Sequence, residues 1–141
     1  MVNIRVKKLH PDAIIPSYAH PGDAGLDFYS LEETVIPAGE RKGIHTGISL
    51  ELPHGYVSLF WDKSGLALKS GITILGGVID AGYRGEYVVI MYNTSREDFR
   101  VSKGQKIAQL LIQPVENATL EEVSDLNDSS RGEGAFGSTG K

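Results

Sequence analysis

Leu75-Gly76-Gly77-Val78-Ile79-Asp80-Ala81-Gly82-Tyr83-Arg84-Gly85-Glu86 is the stretch on which the fold turns. Ile72, Thr73 and Ile74 before it are β-formers, and Tyr87 to Tyr92 after it is an apolar run. Two such runs around a glycine-rich link predict a β-hairpin. With four glycines, the link can turn sharply and lie close against a ligand. It also holds one carboxylate, Asp80, and, three residues on, one ring, Tyr83. An ordinary hairpin with a flexible tip has the same glycines, so the case for chemistry rests on the rest of the chain.

Working outward, Ile44, Thr46, Ile48, Leu50 and Leu52 alternate with small or polar residues, the period of a half-buried strand. Pro53-His54-Gly55 turns the chain into a second strand, Tyr56 to Trp61. Val2, Ile4 and Val6 predict an opening strand, and Ile107 to Ile112 a buried one that carries a single amide, Gln109. Tyr87 to Tyr92 is apolar on both faces, as a strand between two layers is. One segment breaks the β pattern. Leu66 to Lys69 are helix formers, with Ser64 suited to the N-cap and Gly71 to the C′ position. Lys63 and Ser64 beside a helix start would suit an anion, though a solvated lysine and a plain cap read equally well there. Many short strands, one short helix and glycine-punctuated turns predict an all-β barrel or sandwich of jelly-roll type.

Several classes are disfavoured by composition. At 141 residues one domain is expected, and a net charge of −4 lacks the basic footprint of a nucleic-acid binder. Without cysteine there is no thiol nucleophile and no Cys metal site, and the four histidines fall at no metal-ligand spacing. Neither a signal-peptide core nor an 18-residue apolar run is present, which predicts a cytoplasmic protein that uses no membrane. Apolar content collapses from Ser124 onward, so residues 1–123 are expected to form the β domain and 124–141 a flexible arm. That arm still holds an Arg, a ring and two adjacent hydroxyls, the parts needed to stack on a base and grip phosphate.

Five segments then line up in order. They are Ala24 to Ser30, Lys63-Ser64-Gly65-Leu66-Ala67, Gly77 to Gly85, Gly104-Gln105-Lys106-Ile107-Ala108-Gln109, and Arg131 to Gly140. Together they resemble the five motifs of the homotrimeric dUTP pyrophosphatases, the dUTPases. The resemblance implies a homotrimer of jelly-roll-like (β-clip) barrels with sites shared between subunits, which hydrolyses dUTP to dUMP and pyrophosphate. It further implies that Asp80 is the general base and that the backbone of Gly77, Val78 and Ile79 reads uracil. Tyr83 would pack beneath the deoxyribose and Phe136 would stack on the base. Lys63, Ser64, Gly65, Gln109, Arg131, Ser138 and Thr139 would hold the phosphates. Mg²⁺ would ride mainly on the triphosphate, with Asp27 acting through water.

Three positions depart from the family's common pattern: Lys63 in place of Arg, Gly82 in place of a frequent Asp, and Ala135 in place of a frequent Gly. Lysine keeps the charge of arginine and loses its bidentate fork. That departure keeps open a non-catalytic nucleotide-binding module. The dCTP deaminases share an Ile-Asp-x-Gly-aromatic hairpin, but place their catalytic Glu where this chain has Ile90. A purely structural β-trimer would have no use for this set of polar residues.

Overall fold

The computed structural model describes residues 1–140; Lys141, the end of the expected 124–141 arm, lies outside them. Eleven strands and one helix follow in order: β1 (Arg5–Lys8), β2 (Leu26–Tyr29), β3 (Thr34–Ile36), β4 (Arg41–Ile44), β5 (Ile48–Glu51) and β6 (Tyr56–Trp61). After these come α1 (Ser64–Ser70), β7 (Ile72–Leu75), β8 (Val78–Asp80), β9 (Val89–Asn93), β10 (Phe99–Val101) and β11 (Lys106–Pro114). The chain is thus mostly β with one short helix.

Hydrogen bonding groups the strands as β2-β11-β6-β8, β4-β9-β7, β1-β5 and β10-β3, and these ladders are antiparallel. Among the described residues these ladders remain four separate sheets rather than one closed barrel. The faces they turn inward meet in a single core, at whose centre Phe28, Phe60 and Tyr87 pack together. Phe28 and Phe60 lie edge to face at 4.9 Å, and Phe28 stacks on Tyr87 at 6.0 Å. Such pairs add about 0.5–1.5 kcal/mol each beyond the area they bury.

The run expected to be covered on both faces is not: it becomes a strand only from Val89, and in β9 Val89, Met91 and Asn93 are buried while Ile90 and Tyr92 are half-covered. Buried Asn93 has its needs met by the chain: its amide nitrogen donates to the carbonyls of Ile36 and Glu97, and its Oδ1 accepts from Ser95. The opening strand begins later than its alternation suggests and is exposed along its length. Val2, Ile4 and Val6 instead wall an apolar groove of about 290 Å³ with Leu26 and Ile112. Val2 and Ile4 are used by side-chain packing alone, while Val6 also pairs with Leu50 in the β1–β5 ladder.

The helix runs as expected, and Gly71, in the left-handed conformation at φ 64°, ends it by bonding back to Ala67 and Leu66. Its start differs. Lys63 occupies the N-cap, Ser64 is the first helical residue, and no side chain caps the end. After β11 the described chain forms no helix or strand, and Val115 is still tied back through its amide to the Gly55 carbonyl at 2.9 Å.

Candidate functional site

Two clusters of the expected residues form, one at either end of β6. The first gathers around Asp27, whose side chain is only 5% exposed. Lys63 Nζ donates to its Oδ1 at 2.5 Å and Lys106 Nζ sits 2.8 Å from its Oδ2. Burial alone would raise the pKa of this carboxyl; hydrogen bonds and charge from Lys106 and Lys63 outweigh it and hold the group below its ordinary value. The same bond raises Lys106 above its usual range. Gln109 stands directly across from Asp27 in the β2–β11 ladder, and its Nε2 donates to the Asp62 carbonyl at 2.8 Å.

Asp62 fixes this junction from the other side. Its carboxylate accepts from Thr73 Oγ1 at 2.8 Å and the Ile74 amide at 2.7 Å, so the chain entering α1 is pinned to β7. The first intrahelical bond runs from Ala67 N to Lys63 O. The amides of Ser64, Gly65 and Leu66 therefore have no partner within the helix, and Lys63, one of the two lysines on Asp27, immediately precedes them. This end can take an anion.

The second cluster is the hairpin. Val78, Ile79, Asp80 and Tyr83 line a cavity of about 210 Å³ with Gly76 and Glu86. Asp80 ends β8 exposed to solvent, and its carbonyl accepts from the Tyr83 amide at 3.1 Å, closing a tight turn. Below it lies a buried relay: Tyr87 donates to Ser58 Oγ at 2.9 Å, and Ser58 donates to the Ile79 carbonyl at 3.1 Å. Burial pushes the Tyr87 hydroxyl up from its ordinary pKa, which keeps it a donor. Two glycines are needed for contact rather than flexibility. A Cβ at Gly77 would come within 2.5 Å of the Phe60 carbonyl oxygen, and one at Gly85 within 2.4 Å of Tyr83 Oη. The Tyr83 ring folds back over Gly85, donates to the Glu86 carbonyl at 2.8 Å and lies 5.9 Å from Tyr87.

Within one chain these clusters do not meet. Asp80 pairs with Val57 on one side of β6, and Gln109 with Trp61 on the other. Four positions along a strand span roughly 13 Å, and two strand spacings add about 10 Å across. The arm is also apart from both. Phe136 is fully exposed at φ 51°, Arg131 Nε donates to the Gly134 carbonyl, and the hydrogen bonds of residues 131–140 stay within 129–140 among the described residues.

Three contributors escape the sequence reading. Lys106 lies inside a motif but carries no role there, Asp62 is an unremarked neighbour of Lys63, and His45 is assigned nothing. His45 Nδ1 lies 2.8 Å from Glu86 Oε1, at the foot of the hairpin. Each works through a partner distant in the chain, which no local pattern records. Ile90 pairs with Leu75 inside the β7–β9 ladder and is not itself among the residues that line the hairpin cavity.

No group of three or more His, Cys, Asp or Glu among the described residues is placed to hold a metal. Both oxygens of Asp27 are engaged by ammonium groups, so neither is free to ligate a metal directly.

A family model described as dUTPase matches residues 11–140. The chain is 54% identical to the deoxyuridine 5'-triphosphate nucleotidohydrolase of Clostridioides difficile, over 99% of each chain. It is 53% identical to that of Clostridium acetobutylicum, over 99% of this chain and 98% of the other. In three dimensions it resembles a mutant Staphylococcus bacteriophage 80alpha dUTPase with dUpNHpp, at TM-score 0.93, 31% identity and 99% of both chains. A mutant dUTPase from phage phi11 of S. aureus, with a structural Mg(II) ion, matches at TM-score 0.83 and 27% identity, over 89% of this chain and 99% of the other.

Proposed function

Because this chain belongs to the dUTPase family, we propose that it hydrolyses dUTP to dUMP and pyrophosphate by attack of water on the α-phosphorus. The observation that carries the reading is the hairpin, where Val78, Ile79, Asp80 and Tyr83 line one cavity in a chain of this family. Asp80 accepts the proton of the attacking water, and general-base catalysis of this kind is worth about 10²–10⁴-fold. The rest of the rate comes from aligning the triphosphate and neutralising its charge. The backbone of Gly77, Val78 and Ile79 reads uracil, and the Tyr83 ring leaves no room for a 2′-hydroxyl. Lys63, Ser64, Gly65 and Gln109 hold the phosphates. Mg²⁺, when bound, screens phosphate charge, with Asp27 reaching it through water.

The active unit on this reading is a homotrimer of jelly-roll-like barrels. Its support is the separation along β6: Asp80 of one chain is remote from that chain's own lysine pair, and a second copy can supply the missing half. Residues 124–141 act as an arm in which Arg131, Ser138 and Thr139 close over the γ-phosphate and Phe136 covers the base, excluding water. The cytoplasm, where deoxynucleotides are made, is the compartment that suits this substrate.

Pyrophosphate release from dUTP with Mg²⁺, against dTTP, dCTP and UTP, tests the reading. Selective release from dUTP is expected. Silence with all four, from folded protein, would transfer support to a nucleotide-binding module that does no chemistry.

A further inference from the structure

We propose that Lys106 is a positioning residue of the phosphate end, holding Asp27 so that Lys63 is free to turn to the nucleotide. The proposal rests on the reading that Lys63 meets phosphate. Asp27 is buried and charged, and each of its oxygens has one lysine: Lys63 on Oδ1, Lys106 on Oδ2. A buried carboxylate with a single ammonium partner would keep it, because that partner's departure leaves an uncompensated charge out of water. With two partners, either can leave.

The fold spends an irregularity on this arrangement. In an unbroken strand, residues three apart point to opposite faces, which would turn Lys106 away from Gln109 and Asp27. The β2–β11 register slips between Lys106 and Ala108, so Lys106 faces Tyr29 while Gln109 still faces Asp27. Ile107 and Ala108 are both buried in consequence, and Lys106 is brought round to the carboxylate. Its side chain is 46% exposed and that of Lys63 is 28% exposed, so both ammonium groups lie at the site's surface. Lys63 is the one that sits at the start of α1, next to Ser64 and Gly65. Lys106 therefore stays and Lys63 moves.

The test is calorimetric titration of full-length protein with dUpNHpp and Mg²⁺, beside thermal melts. K106Q should weaken binding about tenfold, close to K63Q, because it leaves Lys63 as the only ammonium partner of Asp27 and so locks it there. The double variant K63Q/K106Q should be no more than about twofold weaker than K63Q, and K106R should restore most of the loss; tenfold corresponds to 1.4 kcal/mol. Losses that multiply in the double variant, or K106Q that binds normally beside a weakened K63Q, overturn the proposal alone. Normal binding by K63Q removes the phosphate role of Lys63 and the proposal with it. A structure of the unmutated protein with dUpNHpp gives an answer without variants: Lys106 is expected to remain on Asp27 and Lys63 to have left it. Lys63 still on Asp27 refutes the hand-over.

Discussion

Gly85→Ala separates stability from selectivity at the hairpin. The new Cβ would lie 2.4 Å from Tyr83 Oη, 2.6 Å from Cζ and 3.0 Å from Cε2, so the ring must retreat by about 1 Å to reach ordinary contact. Tyr83 is 45% exposed, so it can swing outward without opening the core. What it loses is its hydrogen bond to the Glu86 carbonyl and its contact with Tyr87. Each is worth about 1 kcal/mol, roughly 2 kcal/mol in all, or about 6–8 °C in Tm for a domain of this size. The functional effect should be larger, since a 1 Å misplacement in a site can cost about 10²-fold. The assay compares kcat/KM for dUTP and UTP in G85A, beside a melt. A ratio that falls by about 10²-fold with modest loss of Tm is expected. Tyr83→Phe, which loses only the hydroxyl, should lose about 1 kcal/mol and keep the ratio. G85A with its ratio unchanged would show that the Tyr83 ring is not what excludes the 2′-hydroxyl.

Other perturbations address the remaining parts. Asp80→Asn should lower kcat about 10³-fold while dUpNHpp binds as before; near-normal turnover removes Asp80 as the base. Deleting residues 131–141 should leave the melt unchanged, since none of residues 131–140 is buried, while activity falls at least about tenfold; an unfolded product makes the arm structural instead. The Asp27 carboxyl is held below its ordinary pKa when folded, so its charge stabilises the fold above about pH 4, and that contribution is lost as pH falls lower. Asp27→Asn should therefore lose about 3 kcal/mol at pH 7 and progressively less as pH falls below about 4, followed by denaturant melts. A deficit of the same size at every pH would refute the assignment.

Much of this was legible along the chain. The Ile48 to Leu50 part of the alternating run and the turn at Pro53-His54-Gly55 announce β5 and β6, and the helix-former run at Leu66 to Lys69 announces α1; Ile44 instead closes β4, because Gly47 at φ 69° breaks the run in between. Local patterns report local forces, and these elements are set by them. Lys63 took the N-cap in place of Ser64 because the tertiary tie of Asp62 to β7 fixes where the chain enters the helix. The same limit hid Lys106, whose direction depends on a register slip against a strand some eighty residues earlier. The Tyr87–Ser58–Ile79 relay was hidden too, because it joins β6, β8 and the segment before β9, and each residue looks in sequence like part of an ordinary apolar run. Motif order could name Asp80 and Gln109 together. Only the β6 ladder shows that one chain holds them apart.

That separation has a genetic consequence. If a site takes its hairpin from one chain and its lysine pair from another, lesions at the two ends of β6 belong to different complementation groups. Chains carrying D80N and chains carrying K63Q, each impaired alone, would regain intact sites when co-assembled, since each supplies the half the other lacks. Two lesions within the same cluster could not rescue each other. A gene product so built is inherited as halves, and a damaged copy spoils its neighbours' sites as well as contributing to them.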